Sequence, residues 1–169
     1  MPAGTDLSGN WIMREIPPEE RRRLADAINK TDGVADNKVF RRQQPSRSRN
    51  RRSSGVSVEG GLVYVFLETG TALKVTQTPH ALFISFDRSV VEEFRFGENR
   101  IVSVGQVEAQ RVTGWEGRQL VVETLGRKRM KLTERFRLTD SGKTLQRQIT
   151  FRSRKLEEET IVQEFDRAD

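Results

Sequence analysis

The chain contains no cysteine, a single histidine and no long apolar run. Absence of cysteine rules out disulfides, thiolate metal sites and cysteine nucleophiles together. The lone histidine, His80 in QTPHALF, cannot form the usual metal cluster, and no carboxylate stands at a telling spacing from it. It reads as a surface histidine in a turn rather than a general base. No apolar stretch approaches the roughly 20 residues of a membrane helix, and no signal-like segment follows Met1. Serines are plentiful, but none occupies a nucleophile elbow, and no glycine-rich loop follows a strand and opens a helix. The pair Glu92-Glu93 and the run Glu157-Glu158-Glu159 fit strand alternation and a charged turn better than acid–base dyads. The expectation is a protein without catalytic residues, metal or cofactor.

What is present is unevenly spread. At 169 residues the chain has the size of one domain spanning 1–169, with room for a real core. Hydrophobic residues amount to 34% and charged residues to 32%, which points to a polar segment diluting an ordinary domain. That segment is identifiable. Residues 41–54 read RRQQPSRSRNRRSS, and no acid occurs between Asp36 and Glu59. Net charge is +6 and residues 38–54 alone carry +7, so the remainder of the chain sums to −1. The pI near 10.1 therefore belongs to one stretch and not to the whole surface. Residues 38–58 are expected to form a basic flexible loop within the domain.

A coarse pass along the chain gives a short first strand at Trp11–Glu15, ended by Pro17. PPEERRRLADAINK follows, with Pro18 at a first-turn position, two acids near the positive helix end, and Leu24, Ala27 and Ile28 on one stripe. This is a short N-terminal helix. From Gly61 the pattern changes to short β-rich segments bounded by turn residues. GLVYVFLE is the first, a strand or a short buried helix. ALKVTQT, ALFISF, VVEEFRF, RIVSV, QVEAQRVTGW, RQLVVETL, RMKLTERFRL, TLQRQITF and ETIVQEF then succeed one another with no helix between them. Such spacing argues for an antiparallel meander, and about eight to ten strands would leave exposed edges unless the sheet curled into a barrel. The fold class is mainly β: an antiparallel up-and-down β-barrel with a short N-terminal helix.

Two phrases carry a resemblance. Leu7-Ser8-Gly9-Asn10-Trp11 opens the first strand, and Trp115-Glu116-Gly117, then RQLVVET, and later Asp140-Ser141-Gly142-Lys143-Thr144-Leu145 punctuate the second half. Over residues 7–16 and 71–166 the chain resembles a group of uncharacterised bacterial lipocalin-like (calycin-type) β-barrel proteins. The resemblance implies a barrel whose tryptophan, Trp11, plugs one end with an arginine from the last strands across it; Arg152 or Arg154 would serve. It also implies export to the periplasm or outside the cell, with a cytoplasmic location as the alternative. It implies no activity.

Period-two alternation assigns strand residues to faces. Leu132, Glu134, Phe136 and Leu138 share one side of their strand, and Leu145, Arg147, Ile149 and Phe151 one side of the next. If Leu138 pairs with Leu145, Arg147 lies opposite Phe136 and diagonal to Glu134. Glu92 shares a side with Val90 and Phe94, Arg111 with Val107 and Ala109, and Gln163 with Ile161 and Phe165. Each apolar face thus carries one polar residue. A bare charge inside a barrel costs several kcal/mol, so these groups must pair, meet water or meet a ligand. Glu92, Arg111, Glu134, Arg147 and Gln163 are the candidate ligand-binding belt; structural pairing among themselves is the competing reading.

The arginine segment offers a second function class. Arg41, Arg42, Arg47, Arg49, Arg51 and Arg52 could dock on an anionic polymer, a nucleic acid or a lipid surface. The segment has no interleaved aromatic, so specific nucleic-acid reading is not expected; a solvated linker is the bland alternative. A barrel binding a small, partly apolar ligand inside, and a scaffold docking through its basic loop, are the two hypotheses the sequence supports.

Overall fold

The structure is a computed structural model that describes residues 2, 4–15, 17–19, 21–23, 26, 63–152 and 157–168. Ten antiparallel strands form one curled sheet. They are β1 (Gly9–Met13), β2 (Ala72–Gln77), β3 (Ala81–Phe86), β4 (Val90–Arg95) and β5 (Asn99–Val104), followed by β6 (Val107–Glu116), β7 (Gln119–Leu125), β8 (Lys131–Thr139), β9 (Thr144–Arg152) and β10 (Glu158–Ala168). The sheet order is β4-β3-β2-β1-β10-β9-β8-β7-β6-β5, so every neighbour in the chain is a neighbour in space except β4 and β5, and β1 joins the two ends of the sequence by pairing with β10. This is the expected up-and-down β-barrel architecture. Helical backbone occurs at Pro18, Glu19, residues 21–23 and Asp26, where the helix was expected. Leu24, Ala27, Ile28 and the basic segment 38–58 lie outside the described residues.

The turns follow from local chemistry. The β3–β4 turn uses left-handed residues at Asp87 and Arg88 (φ 47° and 60°), a pairing whose twist matches that of the flanking strands. Asp87 Oδ1 also accepts hydrogen bonds from the backbone N–H groups of Thr71 and Ala72, both at 2.8 Å, which fixes the start of β2. At the β6–β7 turn, Gly117 supplies a φ of 59° with open space around it.

The β4 and β5 edges are not paired by a backbone ladder but are bridged by side chains. Arg100 of β5 reaches Glu93 of β4 at 3.3 Å in an exposed pair, and the buried Arg111 of β6 reaches Glu92 of β4 at 2.7 Å. A single backbone bond, Gly97 N–H to the Thr113 carbonyl at 2.8 Å, adds to the closure.

Within GLVYVFLE the helical alternative applies: Val63–Phe66 forms a short 3₁₀ turn with Phe66 buried, followed by irregular chain to Gly70. One expectation is corrected. The arginine across Trp11 is Arg167, not Arg152 or Arg154. Arg167 pairs with Trp11 in the β1–β10 register and its guanidinium lies 4.3 Å from the ring centroid. Arg152 stands at the far end of β9, where it approaches Glu158 at 3.7 Å, and Arg154 lies outside the described residues. Antiparallel pairing brings the end of β10 back to the start of β1, whereas the β9–β10 turn lies at the opposite end of β10. Trp11 itself is core as expected, with no exposed surface and its indole N–H donating to the Leu7 carbonyl at 3.1 Å.

Candidate functional site

The interior is not one continuous apolar core. One cluster surrounds Trp11 and includes Leu73, Phe86, Phe136, Leu145 and Phe165; another comprises Met130, Leu132, Ile149, Phe151 and Ile161. Between them, on three consecutive strands, lies a polar residue. Glu134 separates Leu132 from Phe136 on β8, Arg147 separates Leu145 from Ile149 on β9, and Gln163 separates Ile161 from Phe165 on β10. Alternation places all of them inward. The β8–β9 register pairs Leu138 with Leu145 and Phe136 with Arg147, so Glu134 is diagonal to Arg147, the arrangement anticipated from the sequence.

The five belt residues fall into two groups, Arg147 with Glu134 and Gln163, and Arg111 with Glu92. Arg147 and Glu134 are each 1% exposed, well beyond the burial at which an unpaired charge is tolerable. Arg147 donates from Nε to Glu134 Oε2 at 2.9 Å and makes a second contact to the same oxygen through Nη2. Its Nη1 donates to Gln163 Oε1 at 3.4 Å. Arg111, also buried, donates from Nη1 to Glu92 Oε2 at 2.7 Å and from Nε to Thr124 Oγ1 at 3.3 Å. Both guanidiniums lie over aromatic faces. Arg147 is 5.2 Å from the Phe86 centroid and 5.5 Å from that of Phe136, while Arg111 is 5.3 Å from Phe94 and 5.9 Å from Phe66.

Both arginines also reach the segment that the sequence left open between a strand and a short helix. The Arg147 Nη2 donates to the Glu68 carbonyl at 2.9 Å, and the Arg111 Nη2 to the Phe66 carbonyl at 3.5 Å. A segment that leaves strand geometry inside a barrel has carbonyls that no ladder can satisfy, and a buried unsatisfied group costs about 1–3 kcal/mol. The guanidiniums supply those donors.

Glu68 was not anticipated as part of the site. It is half-buried, and its carboxylate makes no hydrogen bond or ion pair with any described residue. Burial first, and then the neighbouring Glu92 charge, push its carboxyl above the ordinary value of 4.5; Arg147 and Arg111 act in the opposite direction. Glu68 thus stands between the two ion pairs. Nothing in its own neighbourhood in the sequence, LETG, signals this; only the inward fold of residues 63–68 creates it. Thr124, with no exposed surface, was likewise missed. The six arginines of residues 41–52 lie outside the described residues. Among the described residues, His80 is exposed in its turn, and no cluster of metal-binding side chains occurs. Two surface grooves, of about 210 Å³ on the outer face of β1–β3 and about 100 Å³ beside Arg23 and β10, do not touch the belt.

Comparison with known proteins places the fold but not a family. No protein-family model matches the chain, and no curated protein matches it in sequence. Solved structures do match. Secretory abundant heat soluble protein 4 from Ramazzottius varieornatus superposes with a TM-score of 0.58 at 15% identity, covering 100% of this chain and 99% of that one. The apo form of lipid binding protein 8 from Caenorhabditis elegans gives 0.57 at 9% identity, covering 99% of each chain. The REP1-NXSQ fatty acid transporter gives 0.54 at 12% identity, covering 97% of each. The chain therefore shares the whole-length architecture of calycin-like barrels, in line with the lipocalin-like resemblance at the level of fold.

Two predictions follow from the belt geometry. Glu134→Ala should lose about 3–5 kcal/mol, because it strands a buried guanidinium. The pair Glu134→Leu with Arg147→Met should lose far less than the summed single changes, with a coupling of about 2–3 kcal/mol in urea denaturation; additive losses would contradict the pairing. For Glu68 the sign is set by its raised value. The unfolded chain ionises this carboxyl near 4.5 and the folded chain only at higher pH. Between those values the folded state holds the extra proton, so this group's contribution to stability falls as pH rises. Glu68→Gln should accordingly raise Tm at pH 7, with the gain vanishing as pH drops below about 4.5; a gain independent of pH would be against it.

Proposed function

We propose that this protein is a non-enzymatic binding protein that takes a small, partly apolar ligand into its barrel, with the belt of Glu92, Arg111, Glu134, Arg147 and Gln163 orienting the ligand's polar head. The observation that carries the reading is the fully buried pair of Glu134 and Arg147 on the adjacent strands β8 and β9, set between two apolar clusters. Ion pairing of this kind is seldom a net gain over well-packed hydrophobes, so its retention across the middle of a barrel calls for a use other than stability. Apolar walls with a few convergent polar groups are the composition of a small-molecule site. Structural neighbours of the same architecture carry names that describe lipid binding and fatty acid transport, which favours an amphiphilic ligand class.

Native mass spectrometry of protein purified from its own source, combined with titration of the neutral apolar probe N-phenyl-1-naphthylamine, tests the reading. The expected result is a co-purifying species of a few hundred daltons, or saturable probe uptake that Phe136→Trp alters. Absence of both a bound species and saturable uptake would overturn it.

A further inference from the structure

The barrel closes between β4 and β6 and leaves β5 outside the closure. Arg111 of β6 holds Glu92 of β4 at 2.7 Å, and the Thr113 carbonyl of β6 accepts from the Gly97 N–H, just past β4, at 2.8 Å. β5 lies between these strands in the chain but forms a ladder with β6 alone. Its exposure agrees: Asn99, Arg100, Ile101, Ser103 and Val104 are exposed, whichever face they occupy, and only Val102 is half-buried. Ile101, at 70%, is the most exposed large hydrophobic side chain among the described residues. A projecting strand with apolar side chains and an open edge is a template for pairing with another chain.

The register of the β5–β6 hairpin decides which groups are open. Gly105-Gln106 is a two-residue turn with Gly105 at φ 60°, so Val104 and Val107 close it as a hydrogen-bonded pair. Alternation turns the backbone groups of Arg100 and Val102 toward β6, and those of Asn99, Ile101 and Ser103 away from it. The Gly97–Thr113 bond confirms the parity, since Thr113 alternates in phase with Val107 and its carbonyl points to the same side. Among the described residues the N–H and C=O groups of Asn99, Ile101 and Ser103 have no partner. An antiparallel pairing of two copies that uses all of them is centred on Ile101. Ile101 then faces its copy, Asn99 faces Ser103 of the second copy and Ser103 its Asn99, and each such pair exchanges two hydrogen bonds. Arg100 faces Val102 of the second copy, so no like charges stand opposite. The β4 edge fails the same test. Phe96 N–H bonds the His80 carbonyl, which leaves Val91, Glu93 and Arg95 facing outward, and a two-fold pairing there sets Glu93 against its own copy.

We propose that β5 is a self-association edge, through which two copies of this chain join β5 to β5 in the antiparallel register centred on Ile101. The two sheets then continue across a two-fold axis, and the Ile101 side chains cover one another. The proposal does not depend on what the interior binds. The exposed Arg100–Glu93 pair beside the edge is worth about 0–1 kcal/mol, so rearranging it opposes the pairing little. One short strand per copy makes a small interface, and the dimer is accordingly weak and concentration-dependent.

Sedimentation equilibrium of the full chain tests it. The apparent mass should rise from 19.4 kDa toward twice that value as concentration increases, with a dissociation constant on the order of 0.1 mM. Ile101→Lys sets like charges opposite each other at an exposed position, and Ser103→Pro removes an edge N–H without touching the β6 ladder. Each should weaken the dimer about tenfold or more while far-UV circular dichroism stays that of the parent chain. Leu125→Lys, at an exposed apolar position two strands from the edge, should dimerise as the parent chain does. A monomer at every concentration, growth beyond the dimer, or an equal loss in Leu125→Lys would overturn the proposal. So would a monomer whose Ile101 amide is protected from hydrogen exchange, since the edge would then be covered by a segment of the same chain.

Discussion

The buried pair between Arg147 and Glu134 is the constraint around which the interior is arranged. It stands where three strands change from one apolar cluster to another, so it interrupts what would otherwise be a single continuous core. Desolvating two charges costs several kcal/mol each, and their attraction offsets this only when the remaining donors are also satisfied. Arg147 meets that condition through Gln163 and the Glu68 carbonyl. The cost of removing any one partner therefore falls on the others, which makes the belt a unit rather than a set of separate contacts.

The same device occurs twice. Arg111 pairs with Glu92 and reaches the Phe66 carbonyl; Arg147 pairs with Glu134 and reaches the Glu68 carbonyl. Each arginine thereby joins a strand carboxylate to the irregular segment that lies inside the barrel. The Arg111–Glu92 pair has a further role, since it spans the β4–β5 opening as a buried pair while Arg100 and Glu93 span it as an exposed one. Exposed pairs such as the latter contribute about 0–1 kcal/mol, whereas losing one partner of the inner pair would leave a buried charge unpaired. Segment placement and sheet closure are thus linked through the two guanidiniums.

Much of this was legible in the sequence where period-two alternation applies. The β8–β9 hairpin has a fixed turn at Asp140–Gly142 and a clean apolar alternation, so register followed and with it the diagonal of Glu134 and Arg147. Gln163 and Arg111 followed in the same way from their strands. What was not legible depends on chain reversal over long distances. Arg167 meets Trp11 because β10 returns to β1, a pairing separated by most of the chain, and no local pattern encodes it. The 3₁₀ turn at Val63–Phe66 has the composition of a strand, and only the absence of a partner for its backbone distinguishes it. Glu68 enters the site solely as a consequence of that turn.

The most direct measurement of the central claim is the side-chain Nε–H resonance of Arg147 in an NMR spectrum of the full chain. If the guanidinium is locked to Glu134 in the interior, this proton should exchange slowly with solvent at neutral pH, remain visible at room temperature, and vanish or shift when Glu134 is replaced by Gln. A resonance that exchanges as fast as those of exposed arginines, and that is indifferent to the Glu134→Gln change, would contradict the account.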